Sequence, residues 1–318
     1  MMGQGGDKAT EEAIAKSFHL NESVTTRFFI QLNELSPISM FSHDSSSSFY
    51  YDEKEYGGFQ LLNMGNVGLY WKGIYLGRSF QSQEKVSYLI INRFQITLIL
   101  AVLSIIFASI LGIIFGILSA RFYGTKIDQA ILAFSAFGIS APSFFIAILM
   151  ALVFGYYLSE YTGLSFKGSL IEFNDVGDRV YQWKNLILPV IALGIRPVAI
   201  ITQITRNSMF DVVREDYIRT ARAKGLSEKT IFIKHTLGNA LNPVITSISG
   251  WFGSLLAGAY FIEVIFDVKG LGALTVNALL KFDIPIIMGA SLYVAFTFVL
   301  ISFVVDFLYI MIDPRMRK

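Results

Sequence analysis

Residues 94–120 read FQITLILAVLSIIFASILGIIFGILSA, 27 positions without a charged side chain. A helix of about 20 apolar residues crosses the hydrocarbon core, because a backbone with no water nearby must satisfy its own hydrogen bonds. This stretch therefore reads as a membrane helix. Charge-free runs of comparable length follow at Gln129–Ser159, Thr236–Ile262 and Ile284–Val305, and Asn185–Thr205 is interrupted only by Arg196 at its middle. Together they predict an all-α polytopic membrane protein with five spans in this chain.

The composition points the same way, since 16% of the 318 residues are charged, against roughly a quarter in a soluble domain. There is no cysteine, which excludes disulfides, thiolate-bound metal and thiol nucleophiles. His19, His43 and His235 are scattered along the chain, so neither a metal centre nor a cofactor is expected in it. A net charge of +2 supplies no basic face for nucleic acid.

Sidedness follows from the connections. Twelve Lys and Arg fall in 121–128, 206–235 and the C-terminal tail, and five in 160–184 and 263–283. Cytoplasmic flanks carry the excess, so the first set, with the C-terminus, is expected in the cytoplasm. That orientation makes residues 1–92 an extracytoplasmic polar region, 93–310 the membrane domain and 311–318 a cytoplasmic tail. The polar region has helical spacing over Ala9–His19, a serine-rich turn at Ser45–Ser48 and loops with short strands over Gly57–Phe80. Its export predicts a further hydrophobic helix before Met1, a sixth span; a short tail crossing unaided is the other reading.

Two patterns within the spans concern packing. Ser104, Ala108, Gly112, Gly116 and Ala120 recur every four residues, a stripe that lets another helix backbone approach closely. Pro142, Pro189, Pro197, Pro243 and Pro285 punctuate the later runs, each able to kink a helix structurally or to open a path in a transporter.

The connection 207–235 is basic, amphipathic and too long for a turn. Phe210, Val213, Tyr217 and Ala221 are spaced to share a helical face, with Glu215 and Arg219 paired on the other side. Gly225 suits the left-handed position that ends a helix, and Ser227 with Glu228 can start another. The expected form is a helix, an elbow and a helix. Two uses fit: a rigid handle on which a soluble motor pushes, or an interfacial segment lying on anionic lipid.

The run Asp216-Tyr217-Ile218-Arg219-Thr220-Ala221-Arg222-Ala223-Lys224-Gly225-Leu226, followed by Lys234-His235, Asn239-Ala240 and Pro243, resembles the coupling loop of the binding-protein-dependent ABC importer permeases, in particular their peptide/nickel (dipeptide/oligopeptide) branch. The likeness extends through Glu263, Gly270-Leu271-Gly272, Asp283 and Pro285 to Asp313-Pro314-Arg315, and upstream to Gly77-Arg78-Ser79, covering roughly residues 60–318. It implies a type I ABC importer transmembrane domain in the bacterial inner membrane. It further implies a second permease subunit sharing the pore, two ATP-binding subunits, an extracytoplasmic substrate-binding protein, and peptides or similar small solutes as cargo. By position, Asp216, Tyr217, Thr220, Ala221, Lys224 and Gly225 would make the ATPase contact. The chain departs from the family pattern in having Arg219 where a glutamate is general, Lys269 where proline often precedes Gly270, and no Pro-Gly-Asp-Pro after a first helix.

ATP hydrolysis is expected on another subunit. Gly225–Thr230 lacks the glycine that a phosphate loop places before its lysine, and no apolar strand precedes it. Arg196 falls near the bilayer centre, where an unpaired guanidinium costs at least about 2.5–3.5 kcal/mol. It either lines the translocation pathway, favouring anionic groups, or pairs with a neighbouring helix. Glu263 and Asp306, at span ends, are expected to reach interfacial water; Asp283, Glu263 and Asp267 form at most a weak cation site. An ion-gradient-driven secondary transporter or channel is the alternative function, but its expected inverted repeats and paired intramembrane carboxylates are not seen. A membrane enzyme would need a catalytic constellation, and none is found.

Overall fold

The computed structural model describes residues 21–45, 47–173 and 177–312; the Ala9–His19 segment, the side chain of Asp306 and Asp313-Pro314-Arg315 lie outside them. The chain divides into two compact units, one of the described residues up to Ile91 with Ala278–Gly289, the other of Asn92–Asn277 with the residues from Ala290 onward.

In the first unit, helix α1 (Val24–Leu35) starts at Ser23, whose hydroxyl accepts the Thr26 amide at 3.2 Å. Strands β1 (Ile38–Ser42), β2 (Phe59–Asn63) and β3 (Val67–Trp71) form an antiparallel sheet in the order β1-β3-β2, with Ile38 and Phe59 both opposite Trp71. The strand reading of Gly57–Phe80 holds. The inner sheet face carries Phe41 and Tyr70, whose rings pack with Tyr51 and Tyr56. Lys72 is buried among them, its ammonium donating to the Glu34 carbonyl and lying 5.5 Å from the Tyr56 ring centre. Burial lowers the Lys72 pKa to about 8. Asp283 accepts the Ser79 hydroxyl at 2.5 Å and the Phe80 and Gln81 amides at 3.0 and 3.2 Å, so this acid is taken up by a turn.

Helix α2 (Val86–Arg121) runs on into the second unit, followed by α3 (Lys126–Ser140), α4 (Ser143–Leu152), α5 (Ile187–Val213), α6 (Asp216–Ala223), α7 (Gly238–Ile265), α8 (Leu271–Leu280) and α9 (Ile284–Ile312). Among the described residues three helices are long and apolar enough to cross a membrane, and five crossings result if each of two bent pairs counts as one. The 129–159 run is not straight, because α3 and the helix that follows it meet at 108°. Pro142 has no amide to donate and pushes Ala141 out of helical geometry, to ψ 131°. Of the five prolines, only Pro197 and Pro243 lie inside helices; Pro189 and Pro285 fall in first turns, where the missing N–H costs little.

Helix α5 is the centre of this unit, with 61% of its apolar window buried against 17% for α9. The small-residue stripe explains how. A Cβ on Gly112 would lie 2.7 Å from Ile201, and one on Gly116 2.4 Å from Thr205, so α2 and α5 cross at backbone distance.

Glu263 differs from its expectation. It is fully buried rather than at an interface, and accepts the Thr97 hydroxyl at 2.6 Å and the Ala273 amide at 2.9 Å. Thr97 in turn accepts the Leu271 amide at 2.8 Å. The carboxylate and hydroxyl of neighbouring helices thus cap the start of α8, satisfying amides that have no partner within it. A Cβ on Gly270 would fall 2.4 Å from Glu263 Oε1, which is why the cap needs glycine there.

Candidate coupling elbow and translocation face

The 207–235 connection is resolved into parts with different jobs. Its first seven residues belong to α5, which ends at Val213; α6 begins at Asp216 after a break. Phe210 and Val213 therefore do not share a helix with Tyr217 and Ala221, as the periodicity suggested. The break sets the short, exposed α6 apart from the packed length of α5.

Only Ile218 and Ala221 of α6 are buried, and with Ile231 they form a small apolar cluster that anchors the elbow from inside. Asp216, Tyr217, Thr220, Lys224 and Gly225 are exposed, whereas Ala221 is one of the anchors. Gly225 adopts φ +77°, the left-handed geometry expected of it. Ser227 caps the following turn by accepting the Thr230 amide at 3.3 Å. Across this turn Arg222 donates to Glu228 at 2.9 and 3.4 Å, an open pair whose strength solvent screens. Arg219 meets Asp216 at 3.4 Å rather than the expected Glu215. The Tyr217 hydroxyl accepts from Asn239 Nδ2 at 3.0 Å, tying α6 to the start of α7.

Arg196 emerges on the open side of α5, its guanidinium 5.7 Å from the Trp251 ring centre on α7. Among the described residues it has no carboxylate within ion-pair distance. On α7, Asn242, Thr246, Gly250 and Ser254 are exposed, four residues apart each time. A Cβ on Gly250 would meet nothing within 4 Å.

One grouping escaped the sequence reading. Asp128, in the first turn of α3, accepts the Ser119 hydroxyl at 2.5 Å, the Gly124 amide at 3.0 Å, and Arg206 Nε and Nη2 at 3.0 and 3.1 Å. The Arg206 guanidinium also lies 4.8 Å from the Phe210 ring and 5.4 Å from the Tyr123 ring. Asp128 and Arg206 are 78 positions apart, and the only local signal was an acid in a first helical turn.

Comparison with known proteins places the chain in a family. Residues 112–318 match the family of binding-protein-dependent transport system inner membrane components. The chain belongs to that family. Among its relatives are a putative peptide transport system permease protein of Brucella abortus (strain 2308), 37% identical over 244 residues covering 76% of this chain and 75% of the relative. Another is the dipeptide transport system permease protein DppB of Escherichia coli (strain K12), 36% identical over 259 residues and 76% of each chain. In fold it resembles a chain of the inward-facing methionine ABC transporter MetNI, with a TM-score of 0.57 and 17% identity over 71% of this chain and 97% of that one. It also resembles a chain of an amino acid ABC transporter, with a TM-score of 0.54 and 13% identity over 70% and 94%. The chain is thus a multi-pass inner-membrane permease of an ABC importer with the type I fold, a transport subunit whose ATPase is a separate polypeptide.

Proposed function

We propose that this permease forms half of a pore for peptides or similar small solutes, with a second permease subunit, two ATP-binding subunits and an extracytoplasmic binding protein completing the importer. The chain crosses the membrane five times between residues 93 and 310, with residues 1–92 outside and 311–318 in the cytoplasm. The relatives that transport peptides support the cargo, and the charge bias of the connections supports the sidedness.

The observation that carries the mechanism is the short helix α6, held by Ile218 and Ala221 with the rest of its surface exposed. Asp216, Tyr217, Thr220, Lys224 and Gly225 meet the ATPase, and Ala221 keeps them in place. Closure of the motor moves the elbow; α5 and α7, which it joins, carry the motion into the membrane, where Arg196 attracts the carboxylate of a peptide. A photo-crosslinker at exposed Ala223 should capture an ATP-binding polypeptide; capture of lipid alone would overturn the docking role. Uptake by an assembled Arg196→Leu variant should fall for anionic cargo, and unchanged uptake of every cargo would remove Arg196 from the path.

A further inference from the structure

We infer that Asp128 is a positioning residue for energy coupling: it clamps the root of the elbow, so that α6 moves with α2 and α3 as one body. The inference rests on the docking role proposed for α6 but concerns a different part of the chain. The Asp128 side chain is 4% exposed and that of Arg206 15%, so the pair is sheltered where the turn between α2 and α3 meets α5. Its carboxylate gathers the last turns of α2 through Ser119, the α2–α3 turn through Gly124, and α5 through both arms of Arg206. A bidentate guanidinium–carboxylate pair fixes orientation as well as distance. Tyr123 and Phe210, 5.0 Å apart and near-perpendicular, close over the guanidinium and restrict it further.

The position of the clamp gives it a mechanical role. Arg206 precedes the end of α5 by seven residues, and α6 begins three residues after that end, a path of about 15 Å at helical rise. Without the clamp a push on α6 can be absorbed by tilting α5 at Arg206 away from α2 and α3. With it the push reaches α2, and through the Gly112 and Gly116 crossings the full length of α5. Packing alone does not call for this chemistry, since an apolar trio of similar volume would hold the helices as well. A carboxylate held by directed hydrogen bonds from three separate segments resists rotation, which apolar contact does not.

The chain has no cysteine, so spin labels can be placed at two introduced sites in the intact importer: Lys126 at the start of α3 and Arg219 on α6, both exposed. In the wild-type background the distance should stay single and narrow with and without ATP-vanadate. In Asp128→Asn/Arg206→Gln, which leaves no unpaired charge to unfold the site, the distribution should at least double in width or shift with nucleotide. ATP hydrolysed per solute moved should rise at least fivefold while assembly is kept. Arg206→Lys, retaining charge without the fork, should fall between the two. A distance as narrow in the double variant as in the wild type, or a wild-type distance that changes with nucleotide, would overturn the clamp. Failure of the wild-type chain to recover an ATPase would instead overturn the docking proposal and leave the nucleotide-free widths to judge the clamp.

Discussion

The α2–α5 crossing can be tested with a single methyl group. In Gly116→Ala the new Cβ would lie 2.4 Å from the Thr205 Cβ, and 2.8 Å from both the Thr205 methyl and the Thr202 carbonyl oxygen. Carbon atoms rest at about 3.5–4.0 Å, so the helices must part by roughly an ångström along their most buried seam. Overpacking of this size costs about 1–3 kcal/mol, offset in part by the roughly 1 kcal/mol gain in helix propensity of alanine over glycine. Gly250→Ala is the matched control: it gains the same propensity and meets nothing within 4 Å. In thermal melts of the purified permease in one detergent, Gly116→Ala should melt several degrees lower and Gly250→Ala at or above wild type, at roughly 2–4 °C per kcal/mol for a domain of this scale. Equal shifts in the two variants would refute the close crossing.

Three further outcomes follow from the described contacts. Gly225 at φ +77° should tolerate Asn better than Val, which pays about 1–2 kcal/mol for left-handed geometry; the measurement is the fraction of ATP-binding subunit retained on purification. Replacing Glu263 by Gln puts a donor where the carboxylate accepts a hydroxyl and an amide. The buried mismatch should cost about 1–3 kcal/mol and expose the 266–283 segment to protease sooner. Lys72, lowered by burial to about 8, binds its proton more weakly when folded than when unfolded, so its contribution to stability rises with pH from about 8 towards the unfolded value of 10.5. Raised tyrosine pKa values at Tyr56 and Tyr75 act in the opposite sense above about 10, the ordinary phenol value. The window to measure is therefore pH 8–10, where Lys72→Met should flatten the increase.

What the sequence made legible was whatever repeats or is local. Runs without charge marked the long apolar helices, Gly112 and Gly116 marked a close crossing, and Gly225 with Ser227 marked the elbow turn, because each signal lies within a few residues of its effect. The bend at Pro142 was visible as a proline, but its 108° size depends on helices packing to either side. The carboxylate roles were not legible. Glu263 was expected at an interface since a charge ending an apolar run ordinarily is, and nothing near it announces that Thr97 and the amides of residues 271–273 will enclose it. The Asp128–Arg206 pairing likewise exists only once α3 and α5 are side by side. The expected sharing of a face by Phe210 and Tyr217 failed for a related reason, because periodicity runs through a helix break that Arg214 and Glu215 conceal.

The cap on α8 also has a bearing on how the polypeptide is made. Thr97 and Glu263 are separated by 166 positions, and synthesis at about 5–20 residues per second leaves roughly 8–33 seconds between them. The last contributors, Leu271 and Ala273, emerge later still. Until they do, a hydroxyl and a carboxylate stand without their final partners in a nascent bundle, so this cradle closes only after most of the membrane domain has been made.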